Sequence, residues 1–215
     1  MIDTIICGDA LVEMKRFPDK SFDLCLTDPP YNAGISYDVY NDSRNEDEYY
    51  SWLLDIWQEI RRISKGVLIT PGSKNFLTFI EKIERPKWVC SWTKLNQCSP
   101  SPLQGFNGCE PVLVYGDVRL GIDAWNIPIT NCQKAIGSHP CPKSAVFWEV
   151  LVNACPEGGC VIDPFVGSGT TAFVAKRMNR HFIGIEISEE YCEMARKRIA
   201  SIPKSLSYFT EKVTC

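Results

Sequence analysis

The sequence predicts an α/β fold: a doubly wound, mostly parallel sheet with helices on both faces. Two observations carry this. Short apolar runs alternate with stretches whose apolar residues recur at helical spacing. Near the end, VIDPFVGSGTTAFVAKR (161–177) reads as strand, tight glycine loop and helix, the unit of a parallel nucleotide-binding sheet.

The elements follow in order. TIIC (4–7) suits a short strand, and Gly8-Asp9 leads into an amphipathic helix, ALVEMKRF (10–17). FDLCLT (22–27) is the apolar run that a parallel strand buried on both faces needs. From Asn45 to Ser64, Trp52, Leu53, Ile56, Trp57, Ile60 and Ile63 share one helical stripe. Lys65-Gly66 is expected to close that helix before a strand at VLIT (67–70). A third helix is expected from Lys74 to Glu84, closed by Pro86.

Residues 86–142 break the rhythm, with prolines, glycines and cysteines between the short apolar pieces KWVCSW, EPVLVY and DAWNIP. Regular structure resumes with a helix over 144–155, a Pro-Glu-Gly-Gly turn and a strand at 160–163. After the glycine loop come a helix over 172–178, a strand at 182–187 and a last helix capped by Ser188. Glu189 and Glu190 in its first turn and Arg196, Lys197 and Arg198 near its end match the helix dipole.

At 215 residues, with 45% hydrophobic and 23% charged side chains, the chain suits a single domain over 1–215. No run approaches the roughly 20 apolar residues of a membrane span, and the first residues lack a signal-peptide core. No membrane and a cytoplasmic setting, in a prokaryotic cell or a virus-infected host cell, are expected. The 11 cysteines include no C-x-x-C pair, and His139 and His181 are the only histidines. Reduced thiols packed as small hydrophobes, and no metal, are the expectation.

The net charge of −3 is unevenly spread. Residues 1–59 carry 4 basic and 13 acidic side chains, whereas residues 60–94 carry 8 basic and 2 acidic. The basic segment has two readings: a surface for a polyanion, or a solvated helix face, which is the simpler.

Function is concentrated in two stretches. LTDPPYNAG (26–34) ends its strand in Asp28-Pro29-Pro30-Tyr31. Each proline fixes φ and donates no hydrogen bond, so the pair stops the strand and stiffens the mount of Asp28 and Tyr31. Downstream, Gly167 and Gly169 with Ala172 fit a GxGxxG/A turn, where backbone and a helix N-terminus approach a ligand closely. Glu186, 17 residues beyond Gly169, ends the next strand, where an acid takes ribose hydroxyls. The pairing suits a dinucleotide or another adenosyl cofactor. A dinucleotide fold starts with its glycine loop, however, and here the loop comes one βα unit before the chain ends. The cofactor half and the DPPY half are therefore swapped in order.

Taken together, these residues resemble the amino-methyltransferases of DNA, which methylate adenine N6 or cytosine N4 with S-adenosylmethionine. DPPY first and DPFVGSGTT last resembles the permuted β group. GD (8–9), ITPGSKN (69–75), SWTKLN (91–96), GCEPVLVY (108–115) and HPCPK (139–143) fall in the same order. The resemblance implies a seven-stranded Rossmann-like sheet with circularly permuted motifs and a small target-recognition insertion over 86–138.

It also assigns residues. Phe165, Gly167, Ser168, Gly169, Thr170 and Thr171, with Asp163 before them, would form the cofactor loop. Glu186 would hold the ribose, and Asp9 with Ala10 the adenine. His139 and Lys143 would lie toward the methionine end, and Asp28 is a further cofactor-binding candidate. Cys141, Pro142 and Ser144 depart there from the family's HPTQKP.

For chemistry, an exocyclic amine is a poor nucleophile because its lone pair is delocalised into the ring. Acceptors on both N–H bonds favour a pyramidal nitrogen, and the Asp28 carboxylate and Pro29 carbonyl, held by Pro30, suit that role. Tyr31 would stack on a base flipped from the duplex. Asn32, Lys94 and Asn96 are further substrate-binding candidates, with Trp88, Trp92, Gln97, Gln104 and Asn107 available in the insertion. For the tryptophans, packing of the sheet edge is the alternative.

An opening aspartate leans toward adenine N6; cytosine N4 is the alternative. Methylation of RNA or protein, an NAD-dependent oxidoreductase using GSGTTA and Glu186, and a non-catalytic DNA-binding relic are further readings. Double-stranded DNA is the expected partner, with a homodimer and a cognate restriction endonuclease as further candidates.

Overall fold

The computed structural model describes residues 2–32, 44–94, 96, 104, 106–129 and 143–203. The chain begins β1 (Thr4–Cys7), α1 (Ala10–Met14), β2 (Phe22–Thr27), α2 (Glu46–Ile63), β3 (Ser64–Ile69) and α3 (Phe76–Lys82). It continues β4 (Trp88–Thr93), β5 (Cys109–Gly116), β6 (Ala124–Asn126) and α4 (Ala145–Val152). It closes with β7 (Cys160–Asp163), α5 (Thr170–Arg177), β8 (His181–Glu186) and α6 (Glu189–Ala200).

One eight-stranded sheet runs in the order β1-β8-β7-β2-β3-β5-β4-β6. All pairs are parallel except those of β5, which runs against both β3 and β4. From β2 the chain moves outward to β3, and from β7 it moves the other way to β8. β2 and β7 are therefore neighbours at the point where the winding reverses, and such a switch point opens a crevice beyond the carboxyl ends of the strands.

The expected seven strands become eight because Ala124–Asn126 pairs with β4 at the edge. Three residues among prolines and glycines are too few to show an alternation. Residues 86–138, expected as an insertion, thus contribute β4, β5 and β6 to the sheet itself.

Alternation along the strands divides the core into two layers. Leu24, Leu26, Leu68, Val112 and Val114 face α4, α5 and α6, where Phe147, Trp148, Leu151, Ala175 and Ala195 are buried. Cys25, Val67, Ile69, Leu113 and Tyr115 face α1, α2 and α3. Trp92 stacks on Phe147 at 4.2 Å and 15°, so this tryptophan packs the sheet, as the alternative reading expected. In the other layer Trp57 lies edge-on to Phe79 and Tyr115, at 5.4 and 4.5 Å. Full burial of a large apolar side chain contributes about 2–3 kcal/mol.

α2 starts where Asn45 accepts from the Asp47 N–H at 3.0 Å, with Glu46, Asp47 and Glu48 in its first turn and Arg61 and Arg62 in its last. The strand after it begins at Ser64 rather than Val67, so Lys65-Gly66 lies inside β3. α1 and α3 are shorter than expected, and α5 starts inside the glycine loop at Thr170.

Part of the uneven charge is paired within the fold. Arg62 pairs with Asp19 and Glu59, Lys65 with Asp23, and Lys82 with Glu46 and Asp47. Acids of residues 1–59 thus answer bases of residues 60–94. Among the described residues no helix is long and apolar enough to cross a membrane.

Candidate active site

The carboxyl ends of the parallel strands deliver the site residues to one edge. Asp9 follows β1, Glu186 ends β8, residues 164–169 follow β7, Asp28 follows β2 and Thr70 follows β3. Because β5 is reversed, its first residues reach this same edge, and Trp92 of β4 sits opposite Glu110. Thr27 Oγ1 donates to Asp163 Oδ1 at 2.7 Å, joining the ends of β2 and β7 at the switch point.

Asp28 is the centre of a compact polar cluster. Thr70 Oγ1 donates to its Oδ1 at 2.5 Å, the Tyr31 hydroxyl donates to the same oxygen, and the Lys143 ammonium pairs with it at 2.9 Å. Among the described residues no hydrogen bond reaches Asp28 Oδ2, on a side chain 22% exposed. Tyr49 donates to the Pro30 carbonyl at 2.9 Å, while among the described residues nothing donates to the Pro29 carbonyl. Among the described residues two acceptors therefore stand unengaged on a rigid mount.

Tyr31 is held at both ends. Asn75 donates to its carbonyl at 2.7 Å, and its hydroxyl also lies 3.3 Å from Glu110 Oε1. Gly72, at φ 77°, backs the ring: a Cβ there would sit 3.1 Å from ring carbon.

The charges in the cluster balance in alternation. Lys143 Nζ also meets Glu110 Oε1 at 3.0 Å, and Lys94 Nζ meets Glu110 Oε2 at 2.6 Å. Burial pushes the Glu110 carboxyl up, but Lys143 and Lys94 outweigh it and hold it at about 2. Burial also raises Asp28, opposed by Lys143 and reinforced by Glu110. Burial and the Asp28 charge push the Tyr31 phenol well up, so it remains a donor. Burial acts to lower Lys143, but Asp28 and Glu110 dominate and keep it an ammonium.

Beside this cluster lies the glycine loop. Gly169 begins α5 at φ 83°, and a Cβ there would lie 2.7 Å from the Ala195 Cβ, so only glycine lets α5 and α6 approach. Glu186 accepts from Gly167 N–H at 3.0 Å and Ser188 N–H at 2.9 Å and remains part-exposed. Burial raises its carboxyl, against those backbone donors. Phe165 meets Trp52 edge-on at 5.7 Å, an aromatic wall beside the loop. A ribose acceptor, an aromatic wall and a helix start without a side-chain cap fit an adenosyl group with an anionic end.

A family model described as DNA methylase matches residues 22–115 and 115–197. The chain belongs to the DNA methylase family. It is 29% identical over 236 residues to the type II methyltransferase M.HpaI of Haemophilus parainfluenzae, covering 94% of this chain and 75% of that protein. To the DNA adenine methyltransferase YhdJ of Escherichia coli K12 it is 28% identical over 242 residues, covering 91% and 82%. Its fold is shared with the PvuII cytosine-N4-specific DNA methyltransferase, at a TM-score of 0.72 and 18% identity, covering 94% of this chain and 86% of that one. A complex of M1.HpyAVI with S-adenosylmethionine has a TM-score of 0.65 at 21% identity, covering 91% and 98%.

In this methylase the expected site residues divide into three groups. Asp28, Pro29, Pro30, Tyr31 and Lys143 meet at the first cluster, and Asp9, Phe165, Gly167, Gly169 and Glu186 lie at the neighbouring edge, whereas Ala10, expected beside the adenine, is buried in the core. Asp163, Ser168, Thr170 and Thr171 are buried. Thr171 bonds Asp163 at 2.5 Å, and Arg198 donates to Thr170 at 2.8 Å, so these side chains brace the loop from within.

The substrate candidates fare differently. Lys94 is 4% exposed with its ammonium on Glu110, a correction to its expected contact with substrate. Asn32, at φ 54°, pairs with both main-chain groups of Arg44, at 2.7 and 2.9 Å. Asn96 pairs likewise with Ile129, at 2.6 and 2.7 Å. Asn32 thus joins the chain at residues 32 and 44, and Asn96 joins the segments that leave the neighbouring strands β4 and β6. Asp9 caps α1 through Oδ1, at 3.0 Å from Val12 N–H. His139 and Gln97 lie outside the described residues.

Sequence reasoning missed Thr70, Glu110, Trp52 and Thr27. Thr70 and Glu110 sat in stretches already singled out, ITPGSKN and GCEPVLVY, but nothing in their spacing marks them against Asp28. Trp52 falls on the core stripe of its helix and reads as packing.

Proposed function

We propose that this chain methylates the N6 amino group of adenine in a base swung out of duplex DNA, with S-adenosylmethionine as donor. The observation that supports it most is the pair of acceptors left unengaged among the described residues, Asp28 Oδ2 and the Pro29 carbonyl, beside the glycine loop. The likeness to YhdJ over most of the chain supports adenine as the base.

Bound S-adenosylmethionine supplies a methyl group activated by its sulfonium; Glu186, Asp9, Phe165 and the backbone of 167–170 would hold it. The protein's own residues do the rest. Asp28 Oδ2 and the Pro29 carbonyl accept the two N–H bonds of the target amine, drawing its lone pair out of the ring and toward the methyl. Lys143, Thr70 and Tyr31 keep Oδ1 occupied, so the carboxylate cannot rotate. The proton shed by the methylated nitrogen passes to Asp28 Oδ2. Tyr31, backed by Gly72, offers its ring to the extruded base.

Cytosine N4 is the second reading, because the same acceptor pair serves any exocyclic amine; the shared fold of the PvuII enzyme favours it. Target recognition is assigned to the connections between and after β4, β5 and β6, since those strands are committed to the sheet.

The test is Asp28→Ala with radiolabelled S-adenosylmethionine and duplex DNA. Cofactor binding should persist while transfer falls at least ~1,000-fold, the scale of losing a preorganised transition-state group. Retained transfer removes Asp28 from the reaction.

A further inference from the structure

We propose that Glu110 is a positioning residue for methyl transfer: through Lys143 it locks the Asp28 carboxylate with Oδ1 occupied and Oδ2 turned to the target amine. The inference rests on the reading of Asp28 given above and names a residue outside both the DPPY and glycine-loop motifs.

The argument is one of contacts. Among the described residues Lys143 Nζ has three polar neighbours: Asp28 Oδ1 at 2.9 Å, Glu110 Oε1 at 3.0 Å and the Tyr31 hydroxyl at 3.1 Å. The ammonium is thereby placed from three sides. Glu110 is itself fixed, since Lys94 holds its other oxygen at 2.6 Å and its side chain is 8% exposed. β5 supplies the anchor, because its reversal starts the strand at the site edge and pairing with Trp92 sets the register of Glu110.

Without the Glu110 carboxylate, Lys143 has only Asp28 as an anionic partner within the cluster. A mobile ammonium can swing across both oxygens, and the Oδ2 acceptor is then shared or misplaced. Misplacement on the scale of 1 Å costs a reaction about 100-fold. Lys94, by contrast, acts one step further out, on Glu110 alone.

A purely structural role for Glu110 would be charge balance: two lysines against two carboxylates. The two roles separate in three variants assayed with S-adenosylmethionine and duplex DNA. Glu110→Gln should lower kcat about 100-fold, with KM for DNA and the Kd of S-adenosylmethionine within about threefold of wild type. The double variant Lys94→Met/Glu110→Gln restores charge balance but leaves Lys143 a neutral amide oxygen in place of its carboxylate anchor, and should stay as slow. Glu110→Asp keeps the charge yet shortens the reach, guards against loss of folding, and should lower kcat at least about 10-fold.

Wild-type kcat in Glu110→Asp, or recovery of wild-type kcat in the double variant, overturns the proposal. Asp28→Ala run alongside keeps the failures distinct. If Asp28→Ala is dead while Glu110→Asp is fully active, only this inference falls. If Asp28→Ala is active, the underlying reading of the site falls first.

Discussion

Thr27 Oγ1 and Asp163 Oδ1 meet at 2.7 Å across the boundary between β2 and β7. One hydrogen bond thus ties the residue before Asp28 to the strand that launches the glycine loop. Asp163 completes the brace by accepting from Thr171 at 2.5 Å and from the Phe165 N–H at 3.0 Å.

Burial lifts the Asp163 carboxyl from 3.8 to about 6, against these three donors. A raised pKa means that the native state favours the protonated form. Its contribution is fully present below the unfolded value and is lost as pH rises through about 6. Relative to Asp163→Asn, the wild type should therefore lose on the order of 3 kcal/mol of stability between pH 4 and pH 7. Urea denaturation of both proteins across that range measures it; parallel pH curves would contradict it.

Gly169→Ala should cost about 1–3 kcal/mol, from a left-handed backbone position together with the contact at Ala195. Only the part due to the Ala195 Cβ should be recovered in Gly169→Ala/Ala195→Gly; the 2.9 Å approach to the Ala195 Cα and the backbone part should remain. Thermal melts of the two variants separate the contributions.

Lys94→Met should destabilise the fold by about 3 kcal/mol, because it removes one partner of a buried ion pair. If Lys94 instead contacted DNA, the variant would melt like wild type and raise KM for DNA. Denaturation and steady-state kinetics on one preparation distinguish these outcomes.

Among the described residues the charged and titratable groups around Asp28 are Lys143, Glu110 with Lys94 behind it, Tyr31 and Asp163. Asp28 must be ionised to accept the amine, so transfer should fall as pH drops through its raised pKa. Lys143 lowers that pKa, so Lys143→Met should move the acid limb of kcat to higher pH. A limb that stays in place would mean that Asp28 does not set it.

Much of the architecture was legible because each βα unit carries its own period. The stripe from Trp52 to Ile63 and the run FDLCLT specify helix and buried strand locally. β6 was not legible, being three residues whose pairing is set by β4 alone. Within the site, Asp28, Tyr31 and the glycine loop stood out because prolines and glycines mark special backbone. Glu110 and Thr70 did not, because their role depends on which strands are neighbours and on the reversal of β5, both long-range facts. Lys94 misled for a related reason. A lysine in a basic segment reads as surface charge until its partner, 16 residues on, is seen beside it.

Nucleoside analysis of DNA from cells expressing the wild type, beside cells expressing Asp28→Ala, tests the central claim most directly. The account predicts N6-methyladenine in one sequence context with the wild type and none with the variant. N4-methylcytosine in its place, no new methylated base, or equal methylation by Asp28→Ala would contradict it.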